Sequence, residues 1–363
     1  MEGGIRPTHL KMFKASAKAS STSQSKPKLH GVWPYAIDDH VIAVSWSRRS
    51  DKVAVAAVSG PITLLNGETG KLLHTLKGHR LGTTSIDFHP TGELLASGGQ
   101  DGSVRLWNVA TGAEQVAMSA GSDWVESLAW SRDGSTLAVA AGKRIRFFDA
   151  HGELLCETPD HSSTVADIRW QPTDDLLAVA SYGGVSLWRP GDPKPLKQIE
   201  FKGSLLRLAW RPDGRFLVAG TQEASVRYYE VQGKGAPLQM SGFATKVREL
   251  SWHHQSRWLA IGGGPMICVW DCSGKGPKNR QPLMLEVNNG EENVTAVDFQ
   301  HNGSLLAAGN QAGLMTVWQA DKFEKPVGWF EAPAEISVLS WSPNDQILLA
   351  GCANGIVATF TLD

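Results

Sequence analysis

Residues 78–108 read GHRLGTTSIDFHPTGELLASGGQDGSVRLWN, and the organisation of the whole chain can be worked outward from this stretch. Gly78-His79 lead into Thr83, Ile86 and Phe88; a turn follows over His89 to Gly92, then an apolar run over Leu95 to Gly99, a second turn at Asp101-Gly102, and a run from Val104 to Trp107. Each run is too short for a helix and is bounded by residues that preset or tolerate turn dihedrals, so the pattern predicts short strands joined by tight turns.

The first of these signals recurs. A branched apolar residue is followed by another three positions on, then by Trp or Phe two positions later, in eight places: Val41, Val44, Trp46; Thr83, Ile86, Phe88; Val125, Leu128, Trp130; Val165, Ile168, Trp170; Leu205, Leu208, Trp210; Val247, Leu250, Trp252; Val294, Val297, Phe299; and Ile336, Leu339, Trp341. Thr83 alone breaks the apolar rule. The aromatic anchors fall 42, 42, 40, 40, 42, 47 and 42 residues apart, a period that marks propeller blades of four strands. Turns follow the anchors at Ser131 to Gly134, Arg211 to Gly214 and Ser342 to Asp345. A second strand then ends in small residues, as in Leu137 to Gly142, Leu259 to Gly264 and Leu305 to Gly309, where a crowded interior would reject bulk. A third strand ends in an aromatic residue at Trp107, Phe148, Trp188, Tyr229, Trp270 and Trp318. A looser fourth follows, as in Lys71 to Leu76 or Glu153 to Glu157, suited to an edge.

The segment Gly78-His79, Phe88-His89-Pro90, Leu95-Ala96-Ser97-Gly98 and Asp101-Gly102-Ser103-Val104-Arg105-Leu106-Trp107-Asn108 resembles the WD40 repeat family. The resemblance covers residues 29–363. It implies that His79, Ser97, Asp101 and Trp107 form a hydrogen-bonded structural tetrad that fastens the turns of a blade. Other repeats depart from it: the fourth keeps Asp160-His161 and Trp188 but has Gly183-Gly184 where the acid would sit, and the third ends in Phe147-Phe148-Asp149. Most blades are therefore expected to be held by packing alone.

Eight units are counted, giving an all-β fold with one propeller of eight blades of four antiparallel strands; seven blades plus a stray hairpin is the alternative. The chain stops three residues after Phe360, leaving the last blade without a fourth strand. Leu29 to Ile37, with Val32, Trp33 and Tyr35, is expected to supply it and close the ring, hiding an edge that would otherwise invite aggregation. Residues 1–28 read as a disordered basic tail rich in Ser and Lys, with Arg6, Lys11, Lys14, Lys18, Lys26 and Lys28 against Glu2 alone. Its acid-poor, Ser-rich composition also hints at a transit peptide, although arginine is nearly absent and no amphipathic helix is clear.

Beyond the tail there are 29 basic and 35 acidic residues, so no broad positive field exists to hold phosphate backbones, and no nucleic-acid partner is expected. Cys156, Cys268, Cys272 and Cys352 are scattered, unlike the dense framework of a small secreted domain, which favours a reducing compartment. With neither a long apolar span nor a signal-peptide core, the expected location is cytoplasmic, without membrane contact.

The chain offers little catalytic chemistry. Gly233-Lys234-Gly235 and Gly274-Lys275-Gly276 are short glycine turns without the strand-to-helix context of a phosphate loop; Lys275, Lys278 and Arg280 read as a solvated basic loop. Cys268 with Cys272, or His253 with His254, does not bring the three or four convergent ligands zinc needs. No Gly-x-Ser-x-Gly elbow is present, and His79, Ser97 and Asp101 are already explained as fasteners. No catalytic residue and no cofactor is expected.

The expected function is a non-catalytic interaction scaffold, a monomeric propeller within a complex that presents a rim to a protein or peptide segment. The alternative is an eight-bladed enzyme or small-ligand binder with its site at the axial channel, although no cluster of acids, histidines or cysteines marks one. The residues just before the recurring pattern, His40, Gly82, Trp124, Thr164, Ser204, Lys246, Asn293 and Glu335, vary while their neighbours repeat. Trp124 stands out as an extra aromatic where Val125, Leu128 and Trp130 already supply the packing, and aromatics dominate interface hot spots. Arg80, Lys143, Tyr182, Glu223, Lys246, Gln311, Glu335 and Asn354 are the accompanying candidates.

Overall fold

A computed structural model describes residues 9–11, 29–233, 235–287 and 291–362. Among the described residues every regular element is a strand. Hydrogen bonding gathers the strands into seven sheets, six of four strands and one of seven. The larger sheet contains two repeat units, because Leu177–Trp188 supplies the second and third strands of one blade and Lys197–Trp210 runs from its fourth strand into the first strand of the next. Innermost strands therefore number eight: Val41–Trp46, Thr83–Phe88, Val125–Trp130, Val165–Trp170, the C-terminal half of Lys197–Trp210, Leu250–Trp252, Val294–Phe299 and Ile336–Trp341. Each touches the next, and Ile336–Trp341 touches Val41–Trp46, so they form a closed ring. We number the blades 1 to 8 in that order; the ring has eight repeat units but seven sheets.

Eight apolar clusters occupy the eight junctions between blades. The anchor aromatic of one inner strand packs there against the second and third strands of its neighbour, as Phe88 and Trp107 do against Ile62 and Leu64. Small residues on the second strands have a specific cause. A methyl at Gly98 would lie 2.4 Å from Val125 Cγ1, and one at Gly351 would lie 2.6 Å from Val41 Cγ1. A β-branched residue of the next inner strand already fills the space a side chain would need.

Packing is not the only bond between blades, which corrects the expectation that most blades are held by packing alone. The Ser45 hydroxyl accepts from Phe88 N–H, the Asp87 carboxylate from Trp130 N–H at 2.9 Å, and Ser251 from Phe299 N–H. Asp167 accepts from Leu208 N–H and Asp298 from Trp341 N–H, each at 2.9 Å. The indoles of Trp170 and Trp252 donate to Ala129 and Ala209 carbonyls. Ser337 donates to Val41 O at 2.6 Å across the closing junction. Every junction thus carries at least one cross-blade hydrogen bond near the axis.

The N-terminal strand closes the ring. His30–Ala36 pairs antiparallel with Ile356–Thr361 as the fourth strand of blade 8. A register shift between Gly31 and Pro34 accommodates the proline, which has no N–H to donate. Trp33 exchanges backbone bonds with the Thr359 hydroxyl, and its indole donates to Gly67 O in blade 1 at 3.1 Å. One side chain thereby ties the last blade to the first. Of the N-terminal 28 residues, to which the disordered-tail reading applies, only His9–Lys11 lie within the described residues; their backbone pairs in parallel with Gln239, Met240 and Ser241.

Candidate functional site

The loops entering the inner strands and the turns between second and third strands meet on one rim. The evidence is a repeated backbone bond: Val58 N–H to His40 O, Gln100 N–H to Gly82 O, Gln222 N–H to Ser204 O, Gln311 N–H to Asn293 O and Ala353 N–H to Glu335 O, at 2.9–3.0 Å. In each case the residue just before the inner strand accepts, so the variable positions are fixed side by side with the turns.

In blade 2 this rim is braced from beneath. Trp107 Nε1 donates to Ser97 Oγ at 2.8 Å, Ser97 Oγ lies 2.8 Å from His79 Nε2, and His79 Nδ1 lies 3.0 Å from Asp101 Oδ1. A carboxylate only accepts, so Nδ1 carries the proton and Nε2 accepts from Ser97. Burial lowers the His79 pKa, keeping the ring neutral. Burial pushes the Asp101 carboxyl up, but hydrogen bonds from Ser103, Arg80 N–H and His79 outweigh it and hold the group below the usual carboxylate range. Because the Asp101 carboxylate also accepts from Arg80 N–H at 3.1 Å, it fixes the loop that carries Arg80 and Leu81.

Exposed apolar side chains are concentrated on one sector of this rim. Val58 is 46% exposed, Leu81 63%, Trp124 52% and Tyr182 55%, and they come from blades 1, 2, 3 and 4 in succession. Trp124 directly precedes the fully buried Val125, and its side chain stays half-exposed. Arg80 and Lys143 are exposed on the same rim. Lys143 O accepts from His161 N–H, and Ser162 Oγ donates to Tyr182 O, which links the blade 3 turn to Tyr182.

The remaining sequence candidates lie elsewhere on the rim. Glu223, Lys246, Gln311 and Asn354 are exposed and Glu335 is half-buried, on blades 5 to 8, where no large apolar side chain is exposed among the described rim residues. Sequence reasoning missed Val58 and Leu81. Both are single apolar residues in otherwise polar turns, Val58-Ser59-Gly60 and Arg80-Leu81-Gly82, and that contrast is the signal that marks them.

The axial channel also differs from expectation, since acids do cluster along it. Asp87, Glu126, Arg169, Arg207, Glu249 and Asp298 line cavities of about 330 and 1010 Å³. Burial raises the carboxyls of Asp87 and Asp298 to about 6. Asp167, which also faces this network, pairs with Arg169 at 3.3 Å and Arg207 at 3.6 Å. Three of these carboxylates, Asp87, Asp167 and Asp298, are the cross-blade acceptors described above. Among the described residues no three His, Cys, Asp or Glu converge on a metal-sized site.

Comparison with known proteins agrees with this architecture. A family model described as WD domain, G-beta repeat matches residues 70–108, and one described as Eukaryotic translation initiation factor eIF2A matches residues 111–234. The serine-threonine kinase receptor-associated protein of Dictyostelium discoideum is 26% identical over 74% of this chain and 90% of its own length. WD repeat-containing protein VIP3 of Arabidopsis thaliana is 25% identical over 59% of this chain, which spans 61% of VIP3. Coronin-7 of Bos taurus is 31% identical over 45% of this chain and 19% of its own. A crystal structure of the computationally designed Ika8 protein matches with a TM-score of 0.77 at 20% identity, covering 93% of this chain and 100% of that one, a likeness of fold alone. Among the described residues no helix is long and apolar enough to cross a membrane. Repeated four-stranded blades, the His79–Ser97–Asp101–Trp107 arrangement and the repeat model matched over residues 70–108 together make the chain a β-propeller that carries a WD40 repeat in its second blade.

Proposed function

We propose that this protein is a non-catalytic scaffold that captures a segment of another protein on the apolar rim sector of blades 1 to 4. The observation that carries the reading is the succession of exposed Val58, Leu81, Trp124 and Tyr182 on a braced rim whose other half is polar. Apolar side chains gathered in this way mark interaction surfaces, and tryptophan is among the residues enriched at their binding hot spots. Relatives whose names describe a receptor-associated protein and a telomerase protein component support a role inside assemblies. Free thiols at Cys156, Cys272 and Cys352 support a reducing, cytoplasmic setting, and the body's slight acidity supports a protein rather than a nucleic-acid partner.

The test is affinity capture with the whole chain and its Trp124→Ala and Leu81→Ala variants. Removing an exposed side chain is expected to change stability by less than about 0.5 kcal/mol while costing about 2 kcal/mol or more of binding at a hot spot. Partner recovery unchanged in both variants would overturn the reading.

A further inference from the structure

Around the axial channel, one inner-strand position supplies the acceptor for the amide of the next blade's anchor. Ser45, Asp87, Ser251 and Asp298 hold that position in blades 1, 2, 6 and 7. In blades 4 and 5 the same register places Arg169 opposite Ala178 and Ala209 opposite Val218, as Asp87 stands opposite Ala96 and Asp298 opposite Ala307. A guanidinium only donates, and a methyl does neither. Trp210 and Trp252 spend their indole N–H groups on Arg169 O and Ala209 O, and among the described residues no side chain accepts from their backbone N–H groups. An N–H that faces the channel without a fixed acceptor is a donor left for a bound group.

The charges divide in the same way. Asp87, Glu126 and Asp298 lie on blades 2, 3 and 7, whereas Arg169, Arg207 and Arg248 lie on the successive blades 4, 5 and 6. All three arginines line the cavity of about 1010 Å³, together with Trp210 and Trp252. The carboxylates that line it are Glu249 and Asp298, and Asp298 already accepts from Trp341 N–H. Asp87 and Glu126 line the smaller cavity instead. Arg169 and Arg207 share one oxygen of Asp167, at 3.3 and 3.6 Å, and their side chains remain 39% and 48% exposed, so most of their N–H groups stay open to the channel. Guanidinium forks beside backbone donors make a setting for an oxyanion.

We propose that the blade 4 to 6 side of this axial cavity binds a phosphate group, whose oxygens accept from Arg169, Arg207 and the backbone amides of Trp210 and Trp252. A carboxylate has too few oxygens for this set of donors, and a phosphate matches it. The cavity is larger than the bare ion, so the phosphate is carried on a small ester or on a phosphorylated side chain of another protein. Its mouth lies among Pro172, Pro212 and Asn302 of the turns between first and second strands, on the face opposite the apolar rim. The site is separate from that rim and does not depend on its role.

The experiment is isothermal titration calorimetry of the whole protein at fixed ionic strength with glucose 6-phosphate, glucose and N-acetyl-phosphoserine amide. Saturable binding of a phosphate compound and none of glucose are expected. Binding of glucose 6-phosphate alone supports a free ester; binding of the capped phosphoserine, with or without the sugar phosphate, supports a phosphate carried on another protein. Arg169→Met is expected to weaken binding about tenfold or more, since a hydrogen bond to a charged group is worth at least that factor. Ala209→Asp puts a carboxylate at the position that Asp298 holds in blade 7. It is expected to accept from Trp252 N–H and abolish binding while circular dichroism shows a folded ring. Failure of both phosphate compounds to saturate, glucose binding as tightly as its phosphate, or binding indifferent to Arg169→Met and to Ala209→Asp would overturn the proposal.

Discussion

Replacing Trp33 by alanine tests ring closure most directly. The side chain is 6% exposed, packs among Val41, Val53, Leu65 and Val357 at the junction of blades 8 and 1, and donates its indole N–H to Gly67 O. Truncating a buried tryptophan costs about 3–5 kcal/mol, and the abandoned Gly67 carbonyl adds about 1 kcal/mol, for a loss of about 4–6 kcal/mol. Unfolding entropy of about 2.1 cal/mol/K per residue gives a chain of this size about 0.7 kcal/mol/K, so the midpoint should fall by about 6–9 °C. Val32→Ala on the same strand is the control: Val32 is 42% exposed, and its loss should cost less than about 0.5 kcal/mol. Calorimetry of the three proteins, with limited proteolysis of the N-terminal strand, measures both effects. If Trp33→Ala melts no earlier than Val32→Ala, and its N-terminal strand is cleaved no faster, the argument that this residue latches the ring is wrong.

Other expectations follow from the same geometry. Asp87 titrates near 6 when folded and near 3.8 when unfolded, so the folded state holds a proton that the unfolded state has released between those values. This contribution is largest below about pH 4 and falls by roughly 3 kcal/mol as pH rises through 6; Asp87→Asn, which keeps an acceptor for Trp130 N–H, should remove that slope in denaturant titrations across pH 4–8. Asp101 has the opposite sign: its lowered carboxyl pKa stabilises the fold above about pH 4 and is lost on acidification, so Asp101→Ala should destabilise at pH 7 by about 2–3 kcal/mol and reduce acid sensitivity, as read by melting at several pH values. Gly351→Ala places a methyl against Val41 Cγ1 and should cost about 1–3 kcal/mol. Adding Val41→Ala should recover part of that loss in a double-mutant cycle, and purely additive effects would refute the contact.

Strand order, blade count and closure were legible along the chain because each rests on a local pattern repeated eight times. The 40–47 residue spacing of the anchors, from Trp46 to Trp341, counts inner strands whatever the hydrogen bonds between sheets do, which is why it yields eight while the sheets number seven. Glycine turns at the ends of second strands were readable in the same way. The cross-blade bonds were not. Asp87 meets Trp130, and Asp298 meets Trp341, through partners 43 residues away, and in one sequence an inner-strand aspartate looks like any other polar residue at an alternating position.

The candidate sites divide similarly. Trp124 was conspicuous because it adds an aromatic to a strand already supplied with packing, whereas Val58 and Leu81 gain meaning only when the ring sets blades 1 to 4 in succession and leaves the opposite rim polar. Sequence alone determined that this protein is a closed ring of repeats with its N-terminal strand completing the last blade, since alternation and turn chemistry act over a few residues. Tertiary structure decided which rim sector is apolar and which carboxylates fasten the blades, because those properties depend on neighbours that the fold brings from about one repeat away.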